Sequence, residues 1–390
     1  ALQSATQSAG VAAAIFSGGF GAIFWMWISA CVAAVLKYAE VVLAMRRRVP
    51  SKNGFKGGAP YYIRALLPTH GKALSTVFAL LCICNCLSMG AVIQTGAVAE
   101  ALDSSLSVPP LLCGAILAIF CFSLMRGGAE KITSLTSALV PFMSLFYVVL
   151  SLTVIIPRRA LLPSLFLKIL SEAFTPESAS GGIFGFLLSR ALRFGVMRGL
   201  FSNEAGCGTS PTAHINSNAP PCEQGFMGIA EVFIDTLLLC SLTGFTLMLN
   251  YSEAAELSHA PIKAVIAAYS APFPPPIGKT VALAMSFAVL CFGFATISCL
   301  SHYALECADF VSKKPLVKKL LIPAYSLFVL LGGVIPSEKA WAISDVTVGV
   351  MTLINLFVLI LGRNEIAIET KFYFAGKKIC TPSGKNSKTP

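Results

Sequence analysis

Charge is scarce in this sequence. Asp, Glu, Lys and Arg make up 12% of its 390 residues, where an ordinary soluble protein carries roughly 25%. Hydrophobic residues make up 56%, and the mean hydropathy is +0.77. A water-soluble fold of this length could not hide so much apolar surface, so lipid must cover much of it. Histidine is scarcer still. The four present (His70, His214, His259 and His302) show no zinc or catalytic-triad spacing. Paired Cys-x-x-Cys/His sets are missing, although there are thirteen cysteines. Most of these, such as Cys82, Cys84, Cys86, Cys291 and Cys299, lie inside apolar runs and act as small packing residues. No Gly-x-x-x-x-Gly-Lys-Ser/Thr run is present, which removes that route to ATP-driven work. The chain lacks an initiator Met and a basic-then-apolar signal peptide, and it opens inside an apolar stretch. The expectation is that its true N-terminus is missing or lies on a separate reading frame.

The little charge present is strongly biased, with a net +11. Nucleic acid is excluded as the reason, because the basic residues sit in short blocks between long apolar runs. A membrane-spanning helix needs about 20 apolar residues. Ten candidates occur, at 1–18, 21–45, 74–101, 108–125, 134–156, 180–200, 226–250, 279–311, 318–335 and 340–362. The first is weak, since Gln3, Ser4, Thr6, Gln7 and Ser8 occupy its first half. Those residues belong either to an interrupted helix lining a cavity, which protein must then enclose, or to a damaged end.

Lys and Arg set the orientation. With the N-terminus inside, cytoplasmic loops hold Arg46, Arg47, Arg48, Lys52, Lys56, Arg64, Lys72, Arg126, Lys131, Arg193, Arg198, Lys313, Lys314, Lys318 and Lys319. The external loops hold only Arg158, Arg159, Lys168, Lys263, Lys279 and Lys339. Both termini are therefore placed inside. Residues 1–363 are read as the membrane domain and 364–390 as a basic, disordered cytoplasmic tail. Ten helices divide into five plus five, about 1–157 and 174–362, and an odd number per half inverts one half relative to the other.

The most unusual stretch runs Arg198-Gly199-Leu200-Phe201-Ser202-Asn203-Glu204-Ala205-Gly206-Cys207-Gly208. It collects a cation, an anion, an amide and three glycines at the end of a membrane helix. Arg198 and Glu204 could pair in low dielectric and hold a cytoplasmic gate; the alternative is a helix cap and a solvated loop. This run resembles the signature of the alanine or glycine:cation symporter family. Other pieces agree in order and spacing. Gly21-Ala22-Ile23-Phe24-Trp25-Met26-Trp27 and Lys37-Tyr38-Ala39-Glu40 are similar to the second core helix. Gly57-Gly58-Ala59-Pro60-Tyr61-Tyr62-Ile63 is similar to the first cytoplasmic loop, and Arg126-Gly127-Gly128 with Leu139-Val140-Pro141-Phe142-Met143 to the fifth helix and its approach. Ala173-Phe174-Thr175-Pro176 with Gly181-Gly182 and Gly185 resembles the external lead into the sixth, and Val232-Phe233-Ile234-Asp235-Thr236 the seventh.

The resemblance implies an all-α polytopic membrane protein of the leucine-transporter fold, an inverted repeat of five plus five helices. Substrate would bind at mid-membrane beside interrupted first and sixth core helices. There, broken helix ends offer donors to a carboxylate and acceptors to an ammonium. Sodium needs only oxygens. The family's Gly-Thr-Gly-Asn-Ile-Ala-Gly-Val stretch falls on Ser4-Ala5-Thr6-Gln7-Ser8-Ala9-Gly10-Val11, where both early glycines are gone. By this correspondence Thr6 and Gln7 face substrate, with Gln94 of the third helix, Gly181 and Phe184 of the sixth, and Thr296 and Leu300 of the eighth. Ser4, Ser8 and Thr296 would hold sodium. Arg198, Asn203, Glu204 and Asp235 belong to gating or to the structural signature. The alternatives are ragged polar residues at a truncated end for Thr6 and Gln7, helix–helix glue for Gln94, and bonding to its own backbone for Thr296. The chain departs from the pattern at Ala91, where Asn is expected, at Ala295, where a hydroxyl is common, and at Leu300, where Trp is expected. These departures leave room for a substrate other than alanine or glycine.

Lys37, Glu40, Glu231 and Asp235 are expensive inside a bilayer unless paired or hydrated. Lys37 and Glu40, three apart, could neutralise each other. Glu231 and Asp235 lie four apart on one face and call for a cation or basic partner, as a structural ion pair or a coupling-ion site. Together these readings imply a sodium-coupled importer of small neutral amino acids in a bacterial inner membrane, with no cofactor beyond Na+ and no catalytic residues. The rivals are a degenerate family member that keeps only the scaffold, and a membrane enzyme, which no catalytic constellation favours.

Overall fold

A computed structural model describes residues 5–51, 54–174 and 190–376 of the chain. The described residues are almost entirely helical, because within lipid each helix satisfies its own backbone hydrogen bonds. The helices are α1 (Ala5–Gly18), α2 (Gly21–Arg46), α3 (Ala59–Leu66), α4 (Gly71–Leu106), α5 (Pro110–Arg126), α6 (Ala129–Ile155) and α7 (Leu162–Ala173). After these come α8 (Arg190–Asn203), α9 (Pro221–Leu249), α10 (Tyr251–Ala255), α11 (Pro261–Ser270), α12 (Pro275–Val311), α13 (Pro315–Gly332) and α14 (Ser337–Phe374). The strands described are β1 (Val49–Ser51) and β2 (Gly54–Lys56), an antiparallel hairpin with Val49 opposite Lys56.

Seven stretches are long and apolar enough to cross a membrane: Gly21–Arg46, Gly71–Leu106, Ser134–Ala173, Pro221–Leu249, Pro275–Val311, Pro315–Gly332 and Lys339–Phe374. Their outward faces, with that of the shorter α5, carry bare hydrophobic side chains; Ile119 is 70% and Leu353 71% exposed. Water would not tolerate that many; acyl chains do. The inward faces hold a continuous core that includes Val11, Ile15, Met26, Ile93, Met143 and Phe292.

Two helices are locally widened. α4 is π-helical over Cys86–Ile93 and α9 over Phe233–Cys240. Such turns are uncommon and concentrate at functional sites. A wider turn shifts the hydrogen-bond register and leaves main-chain carbonyls free for a neighbouring helix.

The close contact of α2 with α8 rests on small residues. A β-carbon on Gly195 would stand 2.4 Å from the Ala22 carbonyl oxygen, and one on Gly199 would stand 2.0 Å from Ser29 Oγ. Both glycines therefore allow the backbones to meet, as small residues do at membrane-helix interfaces. Arg158, in the 3-10 turn Ile156–Leu161, donates to the Leu249 main-chain oxygen at 3.0 Å and closes the end of α9.

Over its described length, Ala5 to Gly18, the first helix is unbroken, since Ala, Gln and Ser continue a helix at low cost; Gln3 and Ser4 lie outside the described residues. One expectation needs correction: the tail is shorter than expected, since α14 continues to Phe374. Arg46 reaches both Glu365 and Glu369 there, and Arg47 reaches Glu365, so the helix end is pinned to α2.

Candidate functional site

Helices α1, α4 and α12, which carry Gln7, Gln94, Thr296 and Leu300, pack against one another. Gln94 is fully buried and directly follows the π-helical turn of α4. Thr296 is buried on α12, and its hydroxyl donates to the Phe292 carbonyl at 2.9 Å, one turn back. Leu300, one turn further, lies against α4: a β-carbon on Gly90 would stand 2.7 Å from Leu300 Cβ.

On α1, Gln7 and Ser8 use different partners. Gln7 Nε2 donates to the Asp235 main-chain oxygen at 3.1 Å and lies 3.0 Å from Cys240 Sγ. The π-helical register of α9 presents that carbonyl to a neighbour. Ser8 Oγ lies 3.2 Å from the Tyr147 hydroxyl, which in turn lies 2.6 Å from Thr243 Oγ1. This hydroxyl chain ties α1, α6 and α9, and an apolar reading of α6 gives no hint of it. Ser4, Gly181 and Phe184 lie outside the described residues, as does the Thr6 side chain.

The signature stretch forms a second polar centre. α8 ends at Asn203, and Glu204 follows with φ +47°, a left-handed backbone that usually takes glycine. Gly206 and Gly208 repeat that conformation at φ +84° and +76°. The turn they make aims the Gly208 amide at Glu40, with N–H to Oε1 at 3.0 Å. Asn355 of α14 donates to the same Glu40 oxygen and to the Gly206 carbonyl, and it accepts from the Tyr62 hydroxyl. A lone amide in the apolar run from Met351 to Leu361 was the available signal for Asn355.

Lys37 does not neutralise Glu40. Its ammonium donates to the Asn203 carbonyl at 3.1 Å, at the negative end of α8, and lies 3.6 Å from Glu231. His214 Nε2 lies 3.5 Å from the same Glu231 oxygen, while Gln224 Nε2 donates to His214 Nδ1 at 2.7 Å. Neither does Arg198 pair with Glu204. Arg198 instead sits over Trp341 of α14, 4.6 Å from its ring centre. Glu204 lies past the helix end and accepts from Thr209 Oγ1 at 3.2 Å. Burial pushes the Glu204 carboxyl up from its ordinary range against the pull of Lys37, and pushes the Cys207 thiol up to about 12, so that sulfur stays protonated. Asp235 accepts from Ser202 Oγ at 2.7 Å, and Asn203 Nδ2 donates to Thr236 Oγ1 at 2.7 Å.

Two cavities adjoin these centres. One of about 50 Å³ is lined by Lys37, Asn203, Glu204, Ser210, Glu231 and Asp235, among others. Glu231 and Asp235 thus face a common space, as their spacing of four suggests. Another cavity, of about 250 Å³, lies beyond Ala9 and Ile93 and carries Glu100 and Trp341 on its wall. Only the second approaches the size of an organic-ligand pocket, at about 300 Å³ and above. The first has room for water or an ion.

Long apolar helices wrapped around buried amides, hydroxyls and charges define a multi-pass membrane protein of the transporter class. The chain belongs to the sodium:alanine symporter family, matching its pattern over residues 5–386. It is 34% identical over 373 residues to the sodium/alanine symporter AgcS of Methanococcus maripaludis, covering 94% of this chain and 80% of that protein. It is also 30% identical over 364 residues to the amino-acid carrier protein AlsT of Bacillus subtilis, covering 91% and 74%. An uncharacterized transporter of Haemophilus influenzae is 34% identical over 374 residues, covering 95% and 80%.

Proposed function

We propose that this protein carries small neutral amino acids across a bacterial inner membrane together with sodium, by alternating access. The observation that carries this reading is family membership across nearly the whole described chain. Helices α1, α2, α4, α5, α6, α8, α9, α12, α13 and α14 are read as ten spans in two inverted halves. Both termini are read as cytoplasmic, with the residues after Phe374 forming a basic tail.

In this reading substrate lies between α1, α4, α12 and the segment before Arg190. Thr6, Gln7, Gln94, Gly181, Phe184, Thr296 and Leu300 surround it, and Ser4, Ser8 and Thr296 hold sodium beside it. A buried amide in a membrane helix marks a polar site, and a zwitterion has both a donor and an acceptor to offer it. In this reading Leu300, standing where the family has Trp, gives an apolar wall that suits a short aliphatic side chain. The gradient supplies the work, since sodium and substrate are held together on one side and released on the other.

Reconstituted full-length protein is expected to accumulate labelled alanine, glycine or serine when an inward sodium gradient is imposed. Gln94→Ala and Thr296→Ala should each lower that uptake about tenfold or more, as loss of one polar ligand from a dry site does. Membrane insertion should be unaffected. Uptake that ignores sodium would sink the coupling, and unchanged kinetics in both variants would displace the site from α4 and α12.

A further inference from the structure

The small cavity beside the signature turn has an unusual charge balance. Three of its lining side chains are carboxylates, Glu204, Glu231 and Asp235, against one ammonium, Lys37, and one imidazole, His214. Lys37 and His214 both turn to Glu231. Among the described residues, no Lys, Arg or His nitrogen lies within 4.0 Å of the Asp235 or Glu204 carboxylate. Asp235 is only 5% exposed, and a buried carboxylate without a cation costs several kcal/mol.

The oxygens of this cavity point the same way. Asp235 Oδ1, Asn203 Oδ1 and Ser210 Oγ make no hydrogen bond to the protein, and all three residues are at least nine-tenths buried. Each already uses, or can spare, its other polar atom: Asp235 Oδ2 is taken by Ser202, and Asn203 Nδ2 by Gly199 and Thr236. The remaining atoms are a carboxylate, an amide and a hydroxyl oxygen around about 50 Å³. Hard oxygens with a single net charge suit a monovalent alkali ion. Among the described residues no group of three His, Cys, Asp or Glu is placed to hold a metal, which speaks against a transition metal. The volume is too small for an amino acid.

We propose that Asp235, Asn203 and Ser210 form a second sodium site, separate from the one assigned to Ser4, Ser8 and Thr296, on the side of the bundle that carries the signature turn. Its place gives it a role. Asn203 ends α8, Ser210 lies in the turn that Glu40 and Asn355 hold, and Asp235 lies in the π-helical part of α9. An ion there ties three elements that must part if the signature turn is to open, so its departure would loosen that end. The choice of ion rests on the sodium coupling proposed above.

The test is equilibrium binding of radioactive sodium to the purified full-length protein, with no amino acid present, at pH 6 and pH 8. Asp235→Asn is expected to weaken one component of binding by about tenfold or more, as removal of one charged partner from a buried ion does. Thr296→Ala should weaken the other component and leave this one intact. Ser210→Ala, a milder change, should weaken the same component as Asp235→Asn, and it carries the test if the Asn variant does not fold. Sodium binding unchanged in both Asp235→Asn and Ser210→Ala overturns the proposal. So does a pattern in which Asp235→Asn abolishes only a pH-dependent step, with Glu204, Glu231, His214, Lys37 and Tyr303 as the other titrating groups facing the cavity; the cavity would then take a proton. Because no transport is measured, absence of alanine uptake would leave this result standing.

Discussion

Lys37 shows how far a single membrane charge depends on partners distant in sequence. Its neighbour Glu40, one turn on, was the natural local partner, yet the ammonium goes to Glu231 and to the Asn203 carbonyl. The need for a partner was legible, because a buried Lys is costly. Which partner was not legible, because it depends on how α2 lies against α8 and α9. Glu204 teaches a related lesson: its run was recognisable, but its left-handed backbone and its separation from Arg198 depend on where α8 stops. The Lys37–Glu231 contact makes a direct prediction. Lys37→Met removes the ammonium from the partly buried Glu231 carboxylate, which keeps His214, and should destabilise the protein by about 1–3 kcal/mol, the usual cost of losing one charged partner. Adding Glu231→Gln should recover a large part of that loss. Thermal unfolding in detergent measures both, and a double variant no better than Lys37→Met would show that the two side chains are not coupled.

At the scale of elements, hydropathy read the long helices well and their irregularities poorly. The 279–311 run appears as Pro275–Val311, and the 318–335 run as Pro315–Gly332, because lipid-facing helices need only length and apolarity. The π-helical turns at Cys86–Ile93 and Phe233–Cys240 left no mark in hydropathy, since widening a turn changes hydrogen-bond register and not composition. The hairpin at 49–56 and helix α3 escaped for a different reason, being too short for a window of spanning length. The contact of α2 and α8 offers a clean test of backbone approach. On Gly195 an added β-carbon meets a main-chain oxygen, which cannot yield without moving a helix. On Gly199 it meets a serine hydroxyl, which a second substitution removes. Gly195→Ala should therefore destabilise the protein by about 1–3 kcal/mol with no side-chain change able to restore it. Gly199→Ala should be rescued in large part by Ser29→Ala, which leaves only the Met26 carbonyl oxygen and the residue-29 β-carbon at 3.3 Å. Melting temperatures of these variants and the parent protein decide the matter, and equal loss at both glycines without rescue would refute the distinction.

For the whole molecule, the clustered ion pairs gather at one end as the loop charges do, while the single pairs Lys168–Glu172 and Lys263–Asp103 lie at the other. Lys56, Lys313 and Lys318 converge on Asp309 at the foot of α12, and Arg46 and Arg47 converge on Glu365 and Glu369 at the foot of α14. The turns at 107–109 and 332–336 lie at the opposite ends of their helices and carry no basic residue. Charge of this kind is held on the cytoplasmic face during insertion, so the Asp309 end should face the cytoplasm and the Ser107 turn the outside. Cysteines introduced at Ser107 and Ser258 should react with a membrane-impermeant maleimide in intact cells. A cysteine at Ser312 should react only after the membrane is opened, and the unsubstituted chain reports labelling of native cysteines such as the exposed Cys31 and Cys84. Labelling at Ser312 but not at Ser107 in intact cells would turn the molecule over, placing the Lys37–Asp235 cavity at the outer end. The proposed sodium site would then guard entry, so the same labelling experiment decides the direction in which that ion acts.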